Sequence, residues 1–144
     1  MGFLDRFNAI AVRIENNRSL QQFCMDNFGQ ALKVEKVFRW RKEIPITDLP
    51  IALVTRPYVR RSFEGMVPKK EQGISVYAGF RMEDQDKAVA LSIEFEELLE
   101  DAICRKTSHP DDRPMGIMPA DSTNDEGKFH PVYFLVMEVL VRDR

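Results

Sequence analysis

Reactive and metal-binding side chains are scarce in this chain of 144 residues, which holds two cysteines and two histidines. Cys24 and Cys104 each sit inside an apolar helical pattern, so they read as buried free thiols in a reducing compartment, not as a disulfide framework. His109 and His130 are each followed by proline, and neither has a Cys or His at metal-ligand spacing. Glycine is limited to seven residues, and none forms a phosphate-cradling loop. Gly73-Ile74-Ser75 departs from the Gly-x-Ser-x-Gly pattern of a nucleophile elbow. Asp111, Asp112, Asp121 and Asp125 lack the spacing, glycine and terminal glutamate of an EF-hand loop. The adjacent carboxylates Glu96-Glu97 and Glu100-Asp101 have no neighbouring His or Arg to divide acid and base roles, so they read as a solvated helix face. The expectation is a protein that is not an enzyme, with no catalytic residue, metal or cofactor.

Long apolar runs are also missing. Ile51-Ala52-Leu53-Val54 is far below the roughly 20 residues that span a bilayer. Met1-Gly2-Phe3-Leu4-Asp5-Arg6 has no basic region followed by an apolar stretch, and Arg6 stands where a myristoylation signal wants Ser or Thr. What remains is an ordinary globular composition, 44% apolar and 31% charged, which suits one domain with a real core over residues 1–144.

Periodicity orders the elements. Phe3, Phe7, Ile10, Ala11 and Ile14 recur at helical spacing, Asn16-Asn17 interrupts them, and Leu20, Phe23, Cys24 and Phe28 continue to a stop at Gly29. The pattern predicts one long N-terminal helix, kinked or broken near Asn17, with Ser19 and Gln22 forming a capping box. Leu32 to Trp40 reads as an exposed strand. Ile51 to Val54 reads as a strand covered on both faces, which ends, bulges or reaches an edge at Pro57 and resumes over Tyr58 to Phe63. Gly65 to Gly73 reads as the loop of a long hairpin. Ile74, Val76, Ala78, Phe80 and Met82 alternate with polar or small residues, as in a half-buried strand. Asp84 caps a helix whose apolar stripe runs from Ala88 to Ile103 and whose last turn is complemented by Arg105 and Lys106. Residues 107–130 read as a long loop containing one short strand near Met115 to Met118. Tyr133, Leu135, Met137, Val139 and Val141 line one face of a final strand. The class is α+β: a mostly antiparallel four- to five-stranded sheet with an N-terminal helix and a second amphipathic helix packed on one face.

The net charge of -2 hides a strong division. Residues 33–70 hold ten Lys/Arg and four Asp/Glu, whereas residues 83–126 hold thirteen Asp/Glu and four Lys/Arg. A domain with one basic and one acidic part attracts copies of itself. The candidate subunit-interface residues are Arg56, Arg60, Arg61, Lys69 and Lys70 on the basic side, and Glu94, Glu97 and Asp101 on the acidic side. Arg56, Tyr58, Arg60, Arg61, Phe63, Lys69 and Lys70 also interleave cations and aromatics, as single-strand nucleic-acid platforms do. Against that stands a sequence pI near 5.7, since dedicated nucleic-acid binders are basic.

The whole-chain pattern resembles the tail terminator and minor tail proteins of long-tailed bacteriophages and prophages. The resemblance rests on four features: a helix leading to a strand; the segment Asp48-Leu49-Pro50-Ile51-Ala52-Leu53-Val54; a clean strand running into the helix at 84–106; and a small-residue loop followed by a strand ending Val139-Leu140-Val141-Arg142. It implies a virion structural protein assembled in the host cytoplasm, a homo-hexameric ring that stops the tail tube, meets the tube protein on one side and the head–tail connector protein on the other, and touches DNA only as DNA passes through. It implies no membrane partner. A head-completion or neck protein of related fold, and a cytosolic nucleic-acid-binding module, are the alternative readings.

Overall fold

A computed structural model describes residues 3–37, 46–104 and 117–143. The chain runs through helices α1 (Phe3–Asn16) and α2 (Arg18–Phe28), strand β1 (Lys33–Lys36), a short 3-10 turn, strands β2 (Ile51–Glu64) and β3 (Val67–Arg81), helix α3 (Gln85–Cys104), and strands β4 (Ile117–Asn124) and β5 (Val132–Asp143). The five strands form one sheet in the order β1-β2-β3-β5-β4. All neighbours are antiparallel except β1 and β2, which are parallel. Three helices pack against this mixed, mostly antiparallel sheet, so the α+β expectation holds. Among the described residues no helix is long and apolar enough to cross a membrane.

One core lies between the helices and one sheet face. Ile10, Ile14, Leu20, Phe23 and Cys24 from α1 and α2 meet Leu91, Phe95, Leu99 and Ile103 from α3 above Ala52, Val54, Ile74, Val76, Ala78, Phe80, Leu135, Met137, Val139 and Val141. Phe95 stacks on Phe80 at 6.0 Å and takes the edge of Phe23 at 5.8 Å, and Phe28 stacks on Phe80 at 5.0 Å. The opposite sheet face buries Ile51 and Leu53 under Leu49, with Val37, Tyr77 and Val132 alongside. Ile51–Val54 is therefore covered on both sides, which explains its unbroken apolar run.

The N-terminal helix does break, but the cap differs from the expected Ser19. Asn17 is extended (φ -73°, ψ 113°), and its side-chain oxygen accepts the Leu20 N–H at 2.9 Å. Ser19 lies within α2, and Gln22 donates to Asp26 rather than closing a capping box. Gln21, to which no role was assigned from the sequence, clamps the next segment: its carbonyl accepts the Leu32 N–H at 2.7 Å and its amide donates to Leu32 O at 3.2 Å. Gly29 closes α2 in the left-handed region, as its place after the apolar stripe predicts.

β1 is shorter than the expected strand; residues 38–45, with Phe38 and Trp40, lie outside the described residues. The connection after β1 returns the chain to the same end of the sheet, so β2 pairs with β1 in parallel where antiparallel neighbours were expected. Gly65 to Gly73 is not the loop that its sequence suggests. Only Gly65 and Met66 turn, and residues 67–73 are strand paired with 58–64. Gly65 has φ 63°, which suits the first central position of a two-residue hairpin turn. At the other end, Asp84 accepts N–H groups from Asp86 and Lys87, capping α3 as its sequence position predicts. Arg105, Lys106, His109, Asp111 and Asp112 lie outside the described residues. The expected loop at 107–130 contains β4, longer than the short strand read from Met115 to Met118, and then a tight turn in which Asp125 accepts from Gly127 and Phe134.

Candidate interaction surfaces

The basic candidates converge on a two-stranded arm. β1 accompanies β2 only through Val54, with Val37 N–H adding one bond to Val54 O. β5 accompanies β3 only from Lys70 onward. Residues 62–69 therefore extend past the sheet body as a hairpin, about 10 Å long at roughly 3.3 Å per residue, while 58–61 are still joined to β5 through 70–73.

Pro57 decides which way the arm's side chains point. It cannot donate to a ladder, and the register shifts by one between Thr55 and Tyr58: Thr55 faces Ser75, but Tyr58 faces Gly73. One extra residue inverts the alternation. Beyond the bulge, odd-numbered residues of β2 take the helix-bearing side and even-numbered residues the opposite side. Buried Gln72, facing Val59 and next to Val141, fixes this assignment at the arm's base.

The five basic candidates are consequently divided. Arg56 is exposed at the bulge itself. Arg60 and Lys69 share the far face with carboxylates: Arg60 stands opposite Glu71, and Lys69 forms an ion pair with Glu64. Arg61 and Lys70 stand opposite each other on the helix side, next to the facing pair Phe63 and Pro68. Like charges directly opposite cost stability within a sheet, and on its other side Lys70 stands opposite Asp143 of β5. Tyr58 is already engaged: its ring covers Gly73, and the Arg60 guanidinium lies 5.3 Å from its centroid. That ring supports its own sheet and is not free to stack on a base.

Residues the charge pattern did not single out complete the arm. Met66 is 97% exposed, Phe63 77% and Val67 62%. Apolar side chains at a hairpin tip contribute nothing to the core, and a concentration of them marks a contact surface. Their signal in the sequence was faint, because Met66 and Val67 lay in the segment read as loop.

The acidic candidates sit on α3. Its buried stripe faces the sheet through Ala88, Leu91, Phe95, Leu99, Ala102 and Ile103. Glu97 and Asp101 are exposed on the outward side, in line with Val89 and Ile93 at four-residue steps. Val89 and Ile93 are more than half exposed. They fall off the buried periodicity, and that was the readable sign of a second apolar stripe. Glu94 points elsewhere: it lines an open groove between α2 and α3 with Arg18, Gln22, Met25, Asp26 and Leu98. Glu96 and Glu100 are half-buried, so the expected solvated face is narrower than its charge count suggested.

Among the described residues no ion pair joins the arm's cations to Glu94, Glu97 or Asp101. The outward face of α3 points away from the sheet that carries the arm, so the two surfaces of one molecule do not face each other. His130 lies in the turn before β5, where its Nδ1 meets the Tyr133 hydroxyl at 2.5 Å. No group of three or more His, Cys, Asp or Glu side chains among the described residues is placed to hold a metal ion. Both cysteines are free; Cys24 is buried, as expected, while Cys104 is only half-buried. Compared with known proteins, the chain matches no protein-family model and no curated sequence.

Proposed function

We propose that this protein is a virion structural protein of a long-tailed phage or prophage, a tail terminator whose copies close into a homo-hexameric ring. The observation that carries the reading is the placement of two oppositely charged, partly apolar surfaces on separate elements of one domain. A basic arm reaches out from the sheet, and an acidic stripe faces outward on the helix layer. Contact between unlike surfaces is heterologous, and such contacts generate rings when the rotation closes. The element order supports the same assignment.

The mechanism is geometric. One ring face repeats the end contacts of the tail tube, and the other face presents a surface that no further tube subunit fits, so growth stops and the head–tail connector binds there. Charge complementarity steers encounter and register, while packed apolar groups hold the contact. DNA passes through the ring without sequence recognition.

Sedimentation velocity at low and high salt, with electron microscopy of the particles and of their mixture with tail tubes, tests this. Six-fold rings that cap tube ends are the expected result. A monomer at high concentration that does not associate with tubes would overturn it. A capping ring found instead at the head side of purified virions would favour the head-completion or neck position.

A further inference from the structure

The arm and the outward face of α3 match in more than sign. On the arm's helix-side face, Arg61 and Lys70 form one rank and Phe63 with Pro68 form the next, two residues closer to the tip. That separation is roughly 6.6 Å along a strand. On α3, Val89 and Ile93 are followed one turn later by Glu97 and Asp101. Ile93 to Glu97 is roughly 6 Å along a helix. An apolar rank beside a cationic rank thus meets an apolar step beside an acidic step at nearly the same spacing.

We propose that the helix-side face of the arm docks on the outward stripe of α3 in a second copy of this chain, with Phe63 on Val89 and Ile93 while Arg61 faces Glu97 and Asp101. Phe63 is the anchor, because an aromatic ring that loses its exposure on docking contributes more than rim charges do. The far face of the arm takes no part: Arg60 is drawn to Tyr58 and stands opposite Glu71, and Lys69 is paired with Glu64. Glu94 is also outside the contact, since it lines the groove beside α2. The assignment refines the ring reading by naming its contact, yet its test does not depend on phage tails.

Two double variants of the full chain test it: Arg61→Ala/Phe63→Ala on the arm and Ile93→Ala/Glu97→Ala on α3. These positions are exposed, so circular dichroism and thermal unfolding should match the wild type. In sedimentation velocity at low salt each variant alone should self-associate at least about thirtyfold more weakly than the wild type. An equal mixture of the two should give a heterodimer and nothing larger, because only one productive arm and one productive stripe remain. Arg60→Ala/Lys69→Ala should assemble as the wild type does. Wild-type protein that stays monomeric at millimolar concentration would overturn the proposal, as would arm or stripe variants that still assemble normally. Binding of a single-stranded oligonucleotide by the wild type, lost in Arg61→Ala/Phe63→Ala without any self-association, would overturn it in favour of nucleic acid. Self-association through this contact in a protein that ignores tail tubes would leave the docking standing and remove the tail assignment; capping rings that survive both variants would do the reverse.

Discussion

Tyr58 and Gly73 face each other across the β2–β3 ladder, and the tyrosine ring fills the volume that a side chain at position 73 would need. A β-carbon built on Gly73 would stand 2.2 Å from Tyr58 Cε1. Gly79 and Phe134 repeat the arrangement between β3 and β5, at 2.5 Å. An aromatic ring laid over a glycine on the neighbouring strand covers backbone that would otherwise be bare. The first pair also sits just before the arm, in the stretch still joined to β5.

Gly73→Ala should destabilise the protein by about 1–3 kcal/mol, because the ring must leave its place or the strands must part. Tyr58→Ala should cost stability in the wild-type background but recover much of the Gly73→Ala penalty in the Gly73→Ala background, where removing the ring removes the clash. Urea unfolding of the four proteins in the cycle measures this. Equal penalties in the presence and absence of the ring would show that the pair is not coupled.

The helix break gives a contrast between two neighbouring side chains. Asn17→Ala removes the oxygen that accepts the Leu20 N–H and should cost about 1 kcal/mol. Ser19→Ala, at the position the capping-box pattern favoured, should change stability by no more than a few tenths of a kcal/mol. Thermal or urea unfolding of both variants separates the two assignments.

Gln21 is expected to be more sensitive than an ordinary partly exposed polar residue. It both donates to and accepts from the Leu32 backbone, tying α2 to the entry of β1. Gln21→Ala should cost about 1–3 kcal/mol, since the Leu32 N–H loses its acceptor. Gln21→Glu should restore acceptance but not donation, and should fall between the two. Amide hydrogen exchange at Leu32 reads the effect directly.

Phe95 lies at the centre of the aromatic cluster, fully buried between Phe23 and Phe80. Phe95→Ala should cost about 3–5 kcal/mol, and Phe95→Leu clearly less, because less volume is lost. Neither should alter the arm's cross-strand contacts, which lie outside the helix core.

Burial pushes the Cys24 thiol up to about 12 from its ordinary 9.0. The native state thus holds this proton more tightly than the unfolded chain does. Its contribution to stability is full below pH 9 and is lost as the pH rises from there toward 12. Unfolding free energies measured across that window should fall more steeply for the wild type than for Cys24→Ala. Cys104 is also raised, through burial and the nearby Glu100, but it is half-buried and should react with a maleimide at pH 8 well before Cys24 does.

Periodicity and local chemistry were enough for the order of the elements, the amphipathic helix capped by Asp84, the alternation of β3 and β5, and the two-sided burial of Ile51–Val54. These depend on neighbours within a few residues, and a helix or strand writes its buried face into spacing. The parallel pairing of β1, the true length of the arm and the partners of each cation depend on residues far apart in sequence, and only the folded chain brings them together. Pro57 marks the boundary between the two kinds of knowledge. The sequence shows that Pro57 donates no N–H and leaves an end, a bulge or an edge open; only the pairing shows that the chain takes the bulge, with one extra residue. That single residue inverts the alternation, sends Arg61 and Phe63 to one face and Arg60 to the other, and so separates charges that look equivalent when read in line.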